Sequence, residues 1–161
     1  DLTAAMGITP PSLYAAFGSK EGLYRRALDR YAQTHGAQLL DGMAEERDLK
    51  RAFARLIENC VTQFGAGTVP PGCMISTGLL GCAPENDAVA RDLTARRLAM
   101  ADLLHARLQA DRDQLPPDTD LASLANYFAM SIEGLSVQAR DRLDRAQLTP
   151  LAAWIMAAWP G

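Results

Sequence analysis

Apolar side chains recur every three or four positions along most of this chain, the spacing of helices that bury one face. The clearest stretch is Leu49, Phe53, Leu56, Ile57, Cys60, Val61 and Phe64, all on one side of a helix, and Gly65, Gly67, Pro70, Pro71 and Gly72 then stop it. Cys73 to Ala83 is short, apolar and glycine-interrupted, which predicts a brief buried helix. Pro84 to Asp87 opens a long helix, with acids in the first turn where the helix dipole favours them; Val89, Leu93, Met100, Leu104 and Leu108 point inward. Pro116 and Pro117 break that helix, and Asp118 can cap the next, whose core stripe is Leu121, Leu124, Ala125, Phe128, Ile132 and Leu135. A last helix holds Leu148, Leu151, Ala152, Ile155, Met156 and Trp159. No segment alternates as a half-buried strand does, and no internal repeat or low-complexity tract appears. The pattern predicts an all-α fold.

The opening residues follow a tighter rhythm. Between Leu2 and Leu28 the sequence reads as three short helices joined by two tight turns. Gly7 suits the left-handed end of the first. Thr9 suits the N-cap of the second, with Pro10 at its first position, where a missing N–H costs nothing. Ile8 and Leu13 flank that cap as a hydrophobic staple. Leu13 and Phe17 lie one turn apart and face inward, leaving Pro11, Ser12, Tyr14 and Ala15 outward. Gly18 closes this helix and Ser19 caps the next, which runs to about Met43 on a stripe of Leu23, Tyr24, Ala27, Leu28, Tyr31 and Ala32. Two helices joined by a short glycine-containing turn form the unit that lays its second helix in a DNA major groove.

The ungapped run from Ile8 to Leu23, ITPPSLYAAFGSKEGL, resembles the N-terminal DNA-binding domain of TetR-family transcriptional regulators. That pattern is an aliphatic residue, a capping Ser or Thr, a short recognition helix bearing Leu-Tyr and Phe, and a Ser/Asn-Lys-Glu turn. The resemblance implies a helix-turn-helix DNA-binding head at residues 1–34 and a helical-bundle body at 35–161 for ligand binding and dimerisation. It sets Asp1 inside the second helix of the family's head, so the expected first helix is missing from the sequence as given.

Composition modifies this picture only slightly. The 161 residues suffice for a sizeable core, and the formal net charge is −3, so nothing global points to nucleic acid. The bias is local: up to Thr34 the bases Lys20, Arg25, Arg26 and Arg30 face the acids Asp1, Glu21 and Asp29. Arg25, Arg26 and Arg30 could steer towards DNA or form a solvated face. Three cysteines without a CxxC pair argue against a secreted disulfide framework, and no apolar run is long enough for a bilayer span. The expectation is a cytoplasmic protein without a membrane anchor. Zinc spacing, phosphate loop and nucleophile elbow are absent, so neither catalytic residues, metal nor cofactor are expected.

For the head, the resemblance implies that Thr9, Pro11, Ser12 and Ala15 lie nearest the bases, Tyr14 bonds a phosphate, and Lys20 neutralises another. The bland alternative is that Ser12 and Lys20 are solvated and Tyr14 packs on the core, while Thr9 only caps. Ala15 and Ala16 stand where the family often has a large polar residue; alanine can touch a thymine methyl but reads no hydrogen-bond pattern.

For the body, the resemblance implies a small-molecule pocket, with Cys60, Phe64, Met74, Thr77, Tyr127, Phe128 and Ser131 as candidate walls. Plain core packing is the competing explanation for each. Cys73, in a Gly-Cys segment like one in a branch of the family that responds to thiol-reactive compounds, is a candidate redox thiol, or else a small buried hydrophobe. The expected partners are a double-stranded DNA operator, a small-molecule effector and a second copy of the chain, bound through the last two helices. Two alternatives stay open: a thiol-based redox-sensing regulator of the same fold, and a helical small-molecule-binding module that does not bind DNA.

Overall fold

The computed structural model describes residues 2–67, 70–141 and 143–161, which form helices with no strand among them. Asp1, counted above among the acids of the head, lies outside the described residues, as do Thr68, Val69 and Arg142.

Three helices make the N-terminal unit: α1 (Leu2–Met6), α2 (Pro10–Phe17) and α3 (Lys20–Tyr31). Local chemistry fixes their limits. The Thr9 hydroxyl accepts from the Ser12 N–H at 3.4 Å, and Pro10 occupies the first helical position of α2. The Ser19 hydroxyl accepts from the Gly22 N–H at 3.0 Å and starts α3. Gly22 also permits the close crossing of the two helices, because a Cβ there would collide with the Phe17 carbonyl oxygen. Leu13 is the buried residue of α2, and Phe17 is half-buried.

The expected single helix from Ser19 to Met43 is interrupted. After Tyr31 the backbone widens into a π-helical segment, Ala32–Gly36, before one last turn, α4 (Ala37–Leu39). The body follows as α5 (Leu49–Phe64), α6 (Met74–Thr77), α7 (Asp87–Ala110), α8 (Leu121–Arg140) and α9 (Arg145–Met156). The predicted helix from Cys73 to Ala83 shrinks to the single turn α6, since Gly78 is extended and Leu79 takes a positive φ of 49°. Asp120, not Asp118, caps α8, its carboxylate accepting from Ala122 and Ser123 N–H at 3.1 Å each.

Helix α5 is the spine: it packs against α8 and α9, α7 runs along α8, and α6 bridges α7 and α8 while touching α3. All seven apolar positions picked from its periodicity are buried, with Ala52 as an eighth. Phe53 and Phe128 meet edge to face at 4.8 Å, and Trp159, beyond the end of α9, closes the cluster at 5.2 Å from Phe53. Burying three large aromatic rings together supplies much of the apolar area that drives collapse.

Candidate nucleic-acid interface and effector cavity

The outer face of α2 is open. Pro11, Ser12, Ala15 and Ala16 are exposed, and Tyr14 retains 55% of its surface. Leu13 anchors the helix from behind. Lys20 is exposed at the first position of α3, and Tyr14 and Lys20 share the rim of one shallow hollow with Leu2, Thr3, Pro10, Leu13 and Leu23. A phenol, an ammonium group and the N-terminus of α2 thus meet on one surface, a set of donors suited to phosphate oxygens. Thr9 is exposed too, but its hydroxyl is already engaged by the Ser12 N–H and lies 2.9 Å from the Ser12 hydroxyl.

Two arginines of α3 have different work. Arg25 pairs with Glu21 at 3.0 Å and with Asp92 of α7 at 3.3 Å, and it donates to the Ala88 carbonyl. Arg96 of α7 answers by pairing with Asp29 and with Asp92. This ladder ties α3 to α7. Arg26 lies over the Phe17 ring, 5.8 Å from its centroid. Sequence reading missed the ladder because its partners are 67 residues apart and carry no shared motif.

At the far end of α3 lies a cavity of about 610 Å³, within the range of small-molecule sites. Tyr31, His35, Gln63, Cys73, Met74, Thr77 and Arg140 line it, together with Pro70, Pro71 and Gly72. Tyr31 ends α3 and His35 belongs to the π-helical segment, so an occupant would touch the helix that carries α2. Gly72 (φ 86°) brings the loop onto α8, where a Cβ would come 2.7 Å from the Ser136 carbonyl oxygen. The next residue is locked there too: the Cys73 N–H donates to the Ser136 hydroxyl at 2.7 Å, and the Cys73 carbonyl accepts from the Thr77 hydroxyl at 2.9 Å.

Gln63 is the anomaly of this site. Its Oε1 and Nε2 are both buried without a hydrogen-bond partner among the described residues. Leaving such groups unsatisfied costs about 1–3 kcal/mol each.

The candidate wall residues separate. Met74 and Thr77 line the cavity, and Cys73 joins them while only 7% exposed. Cys60, Phe64 and Phe128 lie in the core with no more than 1% of their surface free. Tyr127 lines a different groove of about 630 Å³ between α7 and α8, and its hydroxyl donates to the Ile155 carbonyl at 3.3 Å. Ser131 donates to the Tyr127 carbonyl at 2.7 Å. Tyr31, His35, Gln63 and Arg140 were not picked out, because the loop that brings them together is set by tertiary packing.

Burial pushes the Tyr31 phenol well above its ordinary range, and the adjacent Cys73 thiol adds to the shift. Burial likewise pushes the Cys60 thiol up, with Cys73 contributing, so Cys60 stays a neutral thiol. Because α6 is a single turn, it brings little helix dipole to bear on Cys73. No group of three or more His, Cys, Asp or Glu suited to a metal ion occurs among the described residues.

One further surface stands out. Leu98 of α7, Met130 of α8 and Trp154 of α9 expose 61%, 63% and 76% of their surfaces, and nothing lies within 4 Å of where a Cβ on Gly134 would project. No helix among the described residues is long and apolar enough to cross a membrane.

A helix-turn-helix head on an all-helical body defines a class of one-chain transcriptional regulators, and the comparisons agree. A cysteine mutant of the TetR family transcriptional regulator CifR, solved in complex with 26-bp double-strand operator DNA, superposes with a TM-score of 0.93 at 41% identity, over 99% of this chain and 84% of that one. A TetR transcriptional regulator from Rhodococcus sp. RHA1 gives a TM-score of 0.69 at 34% identity, over 99% and 86%. The HTH-type transcriptional repressor ComR of Escherichia coli (strain K12) is 31% identical over 99% of this chain and 78% of its own length. No family model matches. The chain belongs to the TetR family of transcriptional regulators, and its task is regulation rather than catalysis.

Proposed function

We propose that this protein is a cytoplasmic, homodimeric repressor whose α2 helices bind a palindromic duplex operator and leave it when a small molecule fills the cavity beside Tyr31. Residues 1–34 act as the reading head and 35–161 as the sensing and dimerising body. Thr9, Pro11, Ser12, Tyr14, Ala15 and Lys20 form the DNA surface. Cys73, Met74 and Thr77, with Tyr31, His35, Gln63 and Arg140, form the effector site. The observation that carries the reading is the position of α3: its first turn bears Lys20 beside Tyr14, and its last residue is a cavity wall.

The physical mechanism follows. A dimer joined through α8 and α9, with Met130 and Trp154 at the seam, would set two copies of α2 on one face of a duplex. Displacing Tyr31 would turn α3 about the π-helical joint and change the separation of the heads. Affinity falls when that separation no longer matches the groove repeat. The name of ComR, a transcriptional repressor, supports the sign of regulation.

Selection of bound duplexes from a random pool tests the reading. Enrichment of an inverted repeat, bound in a salt-dependent manner, is expected. Enrichment of no sequence would favour a helical small-molecule-binding module instead.

A second reading has one observation behind it: Cys73 lines the cavity beside the Tyr31 hydroxyl. Modification of that thiol would then do what ligand occupancy does. Loss of operator binding on diamide treatment that Cys73→Ser abolishes would favour this thiol-based regulation.

A further inference from the structure

Four charges hold one turn of α3 against one turn of α7. Asp92 pairs with Arg25 at 3.3 Å and with Arg96 at 3.2 Å, and Arg96 also pairs with Asp29. Arg25 donates further to the Ala88 carbonyl, one turn before Asp92. Residue numbers therefore rise in the same sense along both helices, with Arg25 opposite Asp92 and Asp29 opposite Arg96. Asp92 and Arg96 keep only 22% and 24% of their side chains exposed, so solvent and salt screen them less than a surface pair.

The order of these charges specifies a register. Glu21, Arg25 and Asp29 alternate in sign at four-residue spacing along α3, facing Asp92 and Arg96 of α7. Sliding α3 by one turn in one direction would set Glu21 on Asp92 and Arg25 on Arg96, like on like in both rungs. The opposite slide would set Asp29 on Asp92 and leave Arg96 opposite the uncharged Gln33. Either slide covers about 5.4 Å, more than one base-pair step of about 3.4 Å. It would carry α2 along, because the Ser19 cap and the close crossing at Gly22 join α2 to the start of α3.

We propose that Asp92 and Arg96 are positioning residues that set the half-site spacing the protein accepts in its operator. They act through α3 and not by contact with DNA. Holding α3 in one register on the body fixes how far apart the two α2 helices of a dimer stand. This inference rests on the reading of α2 as one of two heads on a palindromic duplex.

The test measures affinity for the selected operator at its own spacer and with one or two base pairs added or removed. Wild type is expected to show a sharp optimum. Arg25→Asp with Asp29→Arg reverses the charges of α3 and makes both rungs repulsive. This variant should lose at least about tenfold at the wild-type spacer, its optimum flattened or displaced. Asp92→Arg with Arg96→Asp should do the same from the side of α7. All four substitutions together restore opposite charges in the original register and should bring back the wild-type optimum. Weak binding to unrelated duplex should hold throughout, because Lys20 and α2 are untouched.

The inference is overturned if either two-residue variant keeps the wild-type spacer profile, or if the four-residue variant fails to recover it. Recovery by the four-residue variant supports it even where a two-residue variant is too unstable to bind. A wild type indifferent to spacer, or one that selects no inverted repeat, would instead discard the two-headed reading beneath it.

Discussion

The ring of Tyr31 stacks on that of His35, with centroids 4.8 Å apart and planes 7° from parallel. The pair spans the point where α3 gives way to the π-helical segment, and both rings line the cavity. Such widened turns recur at functional positions because they tolerate small changes of pitch. At its other end α3 carries the capped turn that holds α2. In the proposed mechanism a push on the stacked rings reaches α2 through α3, which the ladder of Arg25, Asp92, Arg96 and Asp29 ties to α7.

Lys20 should act on DNA as a charge and not as a reader of sequence. Lys20→Ala is expected to weaken operator and unrelated duplexes alike and to lower the slope of log affinity against log salt by about 1. Fluorescence anisotropy over a salt series checks this, and an unchanged slope removes Lys20 from the interface.

Gly72 holds the 70–73 loop close against α8. Gly72→Ala meets two obstacles: a φ of 86° and a Cβ 2.7 Å from the Ser136 carbonyl oxygen. A loss of about 1–3 kcal/mol in urea unfolding is expected. Wild-type stability in this variant would mean that the loop leaves α8 freely.

Glu133 should make stability depend on pH. Desolvation raises its pKa, against the weaker opposing effect of Arg97. The folded state therefore holds this proton more tightly than the unfolded chain does. Its contribution is fully present below the ordinary glutamate range and is lost as pH rises through the raised value. Urea midpoints of wild type and Glu133→Gln, compared at acidic and neutral pH, should show the variant gaining on the wild type as pH rises. A constant difference between the two would contradict the assignment.

Trp154 and Met130 should matter more to assembly than to folding. Charge at either, as Trp154→Glu or Met130→Glu, is expected to yield a folded monomer in light scattering, with helical content retained by circular dichroism. A dimer surviving both substitutions would move the interface off α8 and α9.

Much of this molecule could be read from its residues. The caps at Thr9 and Ser19 and the stripe of α5 depend on neighbours within a turn or two, so spacing alone reveals them. The cavity could not be read so directly. Gln63 looks like a surface residue of α5, and Arg140 like a helix-ending cation; only the folding of the 70–73 loop against Ser136 brings them together. The same limit applies to Cys60, Phe64 and Phe128, whose polarity suits a pocket wall as well as a core. The π-helical turn leaves no trace in periodicity, because Gly36 weakens a helix whatever its pitch.

The central claim is that α2 presents its outer face to duplex DNA, and the affinity of a Ser12→Ala, Tyr14→Phe double variant for the selected operator tests it most directly. Two hydroxyls are removed from an exposed surface while Leu13 and the Thr9 cap stay in place. Losing a phosphate contact at Tyr14 and a base-edge contact at Ser12 should weaken binding at least roughly tenfold. Affinity within about twofold of wild type would contradict it.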